Sequence, residues 1–537
     1  MRDYGRVEMR DLQEDYPAAK KYVGGQLKEN RVSKAMISET LLVFEALCYR
    51  IFEQRQDMDG VVYVSGFRRM GDSAIELAYE GSMYAPEPED PSRLTPEDRI
   101  IRAYADKIDY SYRSGRNRIT ITMKRNHLAA VGLYAASMAL GIIVYILLRY
   151  TASEQLQYFV AEKLVFPAEQ LFLNAVLMVG APVTFLSMLK HLTDTYILAE
   201  SRSSARRLHR SAITSSIVSV VLAIVSSQLF TSLLFADDDL KGKYEHGMIS
   251  MDPETLIPSL IPSDIFTPFQ TMMPYSLIIL AVLTTYAFCS VGKFFDTIKV
   301  AIDAAYVLFA RMLSVVMYAL PLAAFLTMLD ELFSDGYIGL LYLAEMIAVA
   351  FASLGILLGY YALRLLRCGV KPGPFLKKML PLMRENARIA SAFDAVPYNI
   401  RYCTRAYGFD RKRMEQSMPV LAQINLDGNC FIITMLAMLY VAVSSTPLSL
   451  GDTIAVGILV LFLSVGAPNQ PGSCLLGLTI VMVFLEALPL VTVAIEGEVF
   501  FGGILNLTNI AGDIVTLATE EVRETGSAEK INEAAAS

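Results

Sequence analysis

Charge is scarce in this chain and unevenly spread. Only 19% of its 537 residues are Asp, Glu, Lys or Arg, against about a quarter in a soluble globular protein. The net charge of −7 and the pI near 5.4 leave no basic field to hold phosphate backbones. With a mean hydropathy of +0.41, these shortages exclude a disordered chain, a nucleic-acid binder and an ordinary cytosolic enzyme. The cysteines Cys48, Cys289, Cys368, Cys403, Cys430 and Cys474 are scattered without CxxC spacing. They predict neither a disulfide framework nor a zinc site and read as small buried hydrophobes. No Walker-type phosphate loop occurs. The first 126 residues are polar, so no N-terminal signal peptide is expected.

What is abundant is apolar sequence, 54% of the chain, gathered into runs after residue 126. A membrane-crossing helix needs roughly 20 apolar residues. Leu128–Leu148, Leu171–Leu189, Ala212–Ala236 and Met272–Val291 carry no charge. Longer runs follow near Lys299–Met328, Ile338–Leu363, Met418–Val443 and Ala487–Leu517. Basic residues alternate with acidic ones between them. Lys124 and Arg125, then Arg202 to Arg210, then Lys293 and Lys299, then Arg364 to Lys378 mark one side; Asp237 to Asp239 and Asp330 to Asp335 mark the other. This pattern predicts eight crossings of the inner (plasma) membrane with both termini cytoplasmic. Two segments do not fit as crossings. Residues 373–416 begin and end at basic clusters, and 451–486 form two short apolar arms around Gly466-Ala467-Pro468-Asn469-Gln470-Pro471-Gly472. Both are expected to be re-entrant hairpins, the pattern of a secondary-transporter binding site.

The last third lacks positive charge altogether. Between Met418 and Val522 there is no Lys, Arg or His, yet there are eight carboxylates. Asp427 and Asp513 sit inside apolar runs, where an unpaired ionised carboxylate costs several kcal/mol. Protonation, a basic partner from another segment, or a bound cation would each resolve this. Asn425-Leu426-Asp427-Gly428-Asn429 and Asn509-Ile510-Ala511-Gly512-Asp513 offer carboxylate and amide oxygens beside glycines, a donor set for a hard cation.

These residues also carry a likeness. Asn425-Leu426-Asp427-Gly428 resembles the Asn-Met-Asp-Gly motif on the seventh helix of the dicarboxylate/amino acid:cation symporter family, which includes glutamate and aspartate transporters. Ser464 to Gly472 resembles the tip of its second hairpin, Ser391 to Pro397 the serine-rich tip of its first, and Asn509 with Asp513 its eighth-helix Asn-Val-Thr-Gly-Asp. The resemblance covers about residues 127–523. It implies one sodium at Asp513, Asn509 and the Asn425 carbonyl, a second at Asp427, Ser215 and Ser216, and a third at carbonyls of Ser464, Val465 and Ala467. It also implies a homotrimer with an elevator-type sliding unit, and no cofactor beyond the coupling ions. The substrate positions it implies are Ser391, Asp394, Asn429, Gln470, Pro471, Gly472, Glu498, Gly502, Leu505 and Asn509. Acidic-substrate members carry an Arg where this chain has Leu505 and an Asp where it has Gly502. An arginine fork is the natural partner of a substrate carboxylate, so a small neutral amino acid is the expected substrate. Asp394 or Glu498 would meet its ammonium group. A dicarboxylate or acidic amino acid is the alternative, served by Arg388 or Arg401. A proton-driven carrier stays open as well.

Residues 1–126 read as a small cytoplasmic α/β domain. A helix is expected over 35–54, strands over 61–64 and 74–79, a helix over 99–107, and a hairpin from Asp109–Arg113 and Arg118–Lys124. The order resembles the ATPase domain of anti-sigma-factor and histidine kinases. Tyr49 stands where the magnesium-holding Asn belongs, and Tyr79-Glu80-Gly81-Ser82-Met83 lacks the adenine-binding Asp. A non-catalytic regulatory or assembly module is expected. A membrane ligand sensor signalling through this domain is the reading from another class. The tail, 524–537, is expected to be disordered.

Overall fold

The computed structural model describes residues 6–30, 32, 34–53, 60–69, 72–81, 95–104, 108–113, 115–123, 127–201, 203–234, 258, 260–261, 263–389, 392, 395–443, 449–466, 472–485 and 491–536. The chain divides into two compact units.

The N-terminal unit is built on a five-stranded antiparallel sheet, β1 (Arg6–Met9), β2 (Val62–Arg69), β3 (Asp72–Glu80), β4 (Ile108–Arg113) and β5 (Arg116–Met123), in the order β1-β2-β3-β5-β4. Alternate residues face its core: Val62 and Val64, Ile75 and Leu77, Ile119 and Ile121. They pack with Val23 and Leu27 of helix α1 (Leu12–Glu29) and Phe44, Leu47 and Ile51 of α2 (Lys34–Glu53). The short α3 (Pro96–Ala103) adds Ile101 and joins α2 through the Arg50–Asp98 ion pair at 3.0 Å. The expected helix over 35–54 and the strands expected over 61–64, 74–79, 109–113 and 118–124 overlap α2, β2, β3, β4 and β5, with residues 54 and 124 outside the described residues; the helix expected over 99–107 starts earlier, at Pro96. Strand β1 and helix α1 were not expected. The Asp11 side chain starts α1 by accepting from the Gln13 and Glu14 N–H groups, and Lys20 of α1 pairs with Glu45 of α2 at 3.3 Å.

The second unit is helical. Its elements are α4 (His127–Thr151), α5 (Glu154–Val160), α6 (Phe166–Ser201), α7 (Ser203–Leu234), α8 (Pro274–Ser290), α9 (Phe295–Met317), α10 (Leu320–Asp335) and α11 (Tyr337–Arg367), with a single turn at Thr267–Gln270. Then come α12 (Pro372–Asn386), α13 (Val396–Ala406), α14 (Arg411–Ile424), α15 (Asp427–Val443), α16 (Leu450–Val465), α17 (Ser473–Phe484), α18 (Val491–Thr525) and α19 (Glu529–Ala536). Seven helical stretches among the described residues are long and apolar enough to cross a membrane: Ala130–Thr151, Glu154–Asp194, Arg206–Phe230, Thr297–Met317, Leu343–Arg367, Arg411–Val441 and Ala494–Thr525. The expected fourth crossing is α8, apolar but only 17 residues long. Several helices bare large apolar side chains, such as Ile143 and Leu147 on α4 and Val300 and Leu308 on α9. In contrast, α15 is buried almost all round, with Phe431, Ile432, Met435, Leu436 and Leu439 at 1% exposure or less. It forms the centre on which the polar clusters assemble.

Three expectations need correction. The run 299–328 is not one helix: it breaks at Tyr318-Ala319 and restarts as α10 with Pro321 in the first turn. A proline supplies no N–H to the helix before it and clashes with its carbonyl, but suits the start of a new one. The run 418–443 is likewise interrupted, at Asn425. The third concerns the tail: residues 529–536 form α19 instead of a disordered end. Its Ile531 and Ala535 are buried, Asn532 accepts from the Lys371 N–H and donates to the Gly369 carbonyl, and Lys378 donates to the Ala534 carbonyl. Burying one isoleucine contributes roughly 1.5–3 kcal/mol. Ile531→Asp therefore raises the open population of α19 about 10- to 100-fold, read as faster tryptic cleavage at Lys530. An unchanged cleavage rate would show that this contact does not hold the tail.

Candidate functional site

The break between α14 and α15 makes the site. At Asn425 the backbone leaves helical geometry (φ −96°, ψ 75°) while its N–H still reaches the Leu421 carbonyl at 2.8 Å. The helix restarts at Asp427, so the N–H groups of its first turn have no acceptor of their own. Asn509 of α18 supplies one: its Oδ1 accepts from the N–H of Gly428 at 2.8 Å and of Asn429 at 3.4 Å. Its Nδ2 donates to Asn429 Oδ1 at 2.8 Å. One side chain thus ties the start of α15 to the middle of α18.

Asp427 and Asp513 lie on either side of this tie, both at 1% exposure or less. Asp427 accepts three hydroxyls: Ser215 on Oδ2 at 2.6 Å, Tyr361 on Oδ2 at 3.2 Å and Ser216 on Oδ1 at 3.2 Å. Asp513 Oδ1 accepts from Asn425 Nδ2 at 3.0 Å. A Cβ at Gly512 would lie 2.7 Å from Asp427 Oδ2, 2.9 Å from the Tyr361 hydroxyl and 3.1 Å from Asn425 Nδ2. The two carboxylates therefore belong to one continuous polar cluster, closed only because residue 512 has no side chain. The opposite oxygen of Asn425, Oδ1, is buried and has no hydrogen-bond partner, and the same holds for Ser464 Oγ. Buried acceptors of that kind are costly unless a donor or a cation reaches them. Oxygen acceptors beside an unpaired carboxylate fit an alkali cation.

The expected sodium residues Asn425, Asp427, Asn509, Asp513, Ser215 and Ser216 are thus brought together. Ser464 and Val465 end α16, and Ala467 lies outside the described residues. Of the expected substrate positions, Asn429 and Asn509 are in the cluster. Gly472 starts α17 at φ +95°, a left-handed conformation that suits glycine. Glu498 takes up the N-terminus of that helix: its oxygens accept from the Gly472 N–H at 2.9 Å and the Leu475 N–H at 3.1 Å. The Glu498 carboxylate also fills the space beside Gly502, where a Cβ would come within 2.7 Å of Oε1. Leu505 is fully buried. Ser391, Asp394, Gln470 and Pro471 lie outside the described residues. Arg401 is exposed, with its Nε donating to the Pro397 carbonyl at 3.3 Å.

Two neighbours of Asp427 escape a reading of the sequence. Tyr361 sits in an apolar helix and is fully buried. Arg364, one turn further along α11, belongs by sequence to the basic residues that mark one side of the membrane. Its Nη1 donates to Ser215 Oγ at 2.9 Å, and its Nη2 donates to Thr516 Oγ1 at 3.1 Å and Ser211 Oγ at 3.5 Å. The i,i+3 spacing of Tyr361 and Arg364 on one helix face was the available signal.

The model of the Sodium:dicarboxylate symporter family matches residues 134–519 of this chain. The chain belongs to that family. Members of the Sodium:dicarboxylate symporter family are secondary transporters, not enzymes, and the family is sodium-coupled. The C4-dicarboxylate transport protein of Deinococcus deserti is 24% identical over 364 residues, 64% of this chain and 80% of that protein. Excitatory amino acid transporter 4 of Mus musculus is 25% identical over 237 residues, 42% of this chain and 40% of that protein. C4-dicarboxylate transport protein 1 of Pseudomonas aeruginosa is 24% identical over 280 residues, 50% and 60% of the two chains. This member of the family is therefore a multi-pass membrane transporter of a small molecule.

Proposed function

We propose that this chain is a sodium-coupled symporter of a small neutral amino acid. The observation that carries the sodium reading is the buried Asn425 side chain, whose Nδ2 reaches Asp513 while its Oδ1 has no hydrogen-bond partner. Sodium is co-transported there, with Asp513, Asn509 and Asn425 as its ligands. The end of α16 at Ser464 and Val465 adds a further expected ion position; Asp427 with Ser215 and Ser216, the remaining position that the resemblance implies, is already bonded to Tyr361 and, through Ser215, to Arg364. Each sodium moving inward through about 100 mV contributes roughly 2.3 kcal/mol to uptake. The neutral substrate is supported by the fully buried Leu505 and by Glu498, whose carboxylate is committed to a helix N-terminus. Ser391, Asp394, Asn429, Gln470 and Pro471 remain the proposed substrate contacts.

The two pairs of short helices, α12 with α13 and α16 with α17, serve as re-entrant hairpins among eight crossings. A homotrimer, an elevator-type movement, and an inner-membrane location with both termini cytoplasmic rest on the family resemblance and the charge pattern. Residues 1–126 act as a non-catalytic, ATPase-like regulatory module. A second reading, a C4-dicarboxylate or acidic amino acid as substrate, is favoured by what the matched relatives are named for.

Uptake into liposomes holding the purified chain tests the proposal. Alanine, serine, glutamate and succinate are offered with an inward sodium gradient, then with choline replacing sodium. Sodium-dependent accumulation of alanine or serine is the expected result. Accumulation of succinate or glutamate selects the second reading, and uptake indifferent to sodium refutes the coupling.

A further inference from the structure

Asp427 and Asp513 are both buried carboxylates, but the structure treats them differently. Among the described residues Asp513 accepts one hydrogen bond, from an uncharged amide. Asp427 accepts three, filling most of the roughly four lone-pair sites of a carboxylate. It also has a fixed cation behind it. Arg364 Nη1 donates to Ser215 Oγ at 2.9 Å, and the Ser215 hydroxyl donates in turn to Asp427 Oδ2 at 2.6 Å. The guanidinium is charged at any working pH. Its other partners are the neutral Thr516 and Ser211 hydroxyls and the Tyr360 ring at 5.7 Å. Among the described residues no carboxylate lies within ion-pair distance of it. The charge of Arg364 is therefore compensated through Ser215, by Asp427.

We propose that Arg364 is the built-in counter-cation of Asp427, so that the Ser215–Ser216–Asp427 cluster takes up no transported sodium in this chain. The inference rests on the sodium-coupled reading above and fixes where the ion does not go. A cation on Ser215 Oγ would sit roughly 2.4 Å from that oxygen. With Nη1 at 2.9 Å on the other side, the two positive charges would be at most about 5 Å apart. In an effective dielectric of about 20, that repulsion lowers cation affinity on the order of a hundredfold. Of the three ways to compensate a buried carboxylate, Asp427 uses a basic partner from another segment. Asp513 is left for the cation. Arg364 is thus a positioning residue that sets the number of ions carried.

Equilibrium binding of radiolabelled sodium to the purified full chain tests this with sodium alone. Asp427→Asn is expected to bind as many sodium ions as the unaltered chain. Arg364→Gln is expected to bind one more, and the Arg364→Gln/Asp427→Asn double variant to lose that extra ion. Arg364→Lys, which keeps the charge, is expected to gain none. A loss of one ion in Asp427→Asn overturns the proposal, as does a monodisperse Arg364→Gln that gains none. If Arg364→Gln does not fold, the comparison between the unaltered chain and Asp427→Asn decides. An unaltered chain that binds no sodium sinks the coupling reading alone, because the gain in Arg364→Gln is read independently.

Discussion

Asp513→Asn loses sodium affinity by at least about 100-fold, and sodium-driven uptake disappears with it. The carboxylate is buried at 1% exposure in α18, and its described hydrogen bond comes from Asn425 Nδ2 at 3.0 Å. No basic residue occurs between Met418 and Val522. An ionised carboxylate in such a place costs several kcal/mol until a cation arrives. Even outer-shell substitutions at metal sites cost 10- to 100-fold in affinity, so removing the charged ligand costs more. Asparagine keeps the shape and an oxygen, so the variant without sodium melts at or above the temperature of the unaltered chain. The measurement is the shift in melting temperature on adding sodium. At 100 times the dissociation constant, binding to the folded state stabilises by about 2.7 kcal/mol. The unaltered chain shows that shift and Asp513→Asn does not. A full sodium-induced shift in Asp513→Asn would move the ion elsewhere.

The clusters around Asp427 and Asp513 were legible in the sequence because carboxylates inside apolar runs stand out by their cost. The partner of Asp427 was not. Arg364 ends an apolar helix beside other basic residues, and composition gives such a residue only a side of the membrane, not a direction for its side chain. Glu498 was read as an ammonium partner for the same reason: a buried acid is visible in sequence, but the helix N-terminus it meets, 26 residues earlier, is not. The tail was misread because a polar 14-residue segment gives little signal. Its helix depends on Ile531 and Ala535 finding cover. Helix α1 carries Gly24 and Gly25, each costing about 1 kcal/mol against alanine. The burial of Ala19, Val23 and Leu27 in the sheet core offsets them, a tertiary term that local propensity does not contain.

Gly428→Ala dismantles the site without touching a charge. The first turn of α15 approaches α18 so closely that a Cβ at residue 428 would collide with the Leu505 carbonyl oxygen. It would also stand 2.9 Å from Asn509 Oδ1 and 3.0 Å from Thr508 Cβ. The carbonyl is backbone in the interior of a 35-residue helix and has no rotamer by which to give way. The helices must separate, which stretches the Gly428 N–H bond to Asn509 and the Asn509 bond to Asn429, both 2.8 Å. Overpacking costs typically 1–3 kcal/mol, and an unmade buried hydrogen bond adds about 1–3 kcal/mol more. The expected result is a melting temperature several degrees lower and sodium affinity reduced at least tenfold, because the helices part at Asn509 and Asn425, two of the proposed ligands around Asp513. Gly359→Ala is the control. It lies two residues from Tyr361, yet a Cβ there meets nothing within 4 Å. Alanine is the better helix former by up to about 1 kcal/mol, so that variant keeps its sodium binding and its stability. Equal effects from the two substitutions would mean that glycine content, not the contact between α15 and α18, governs the site.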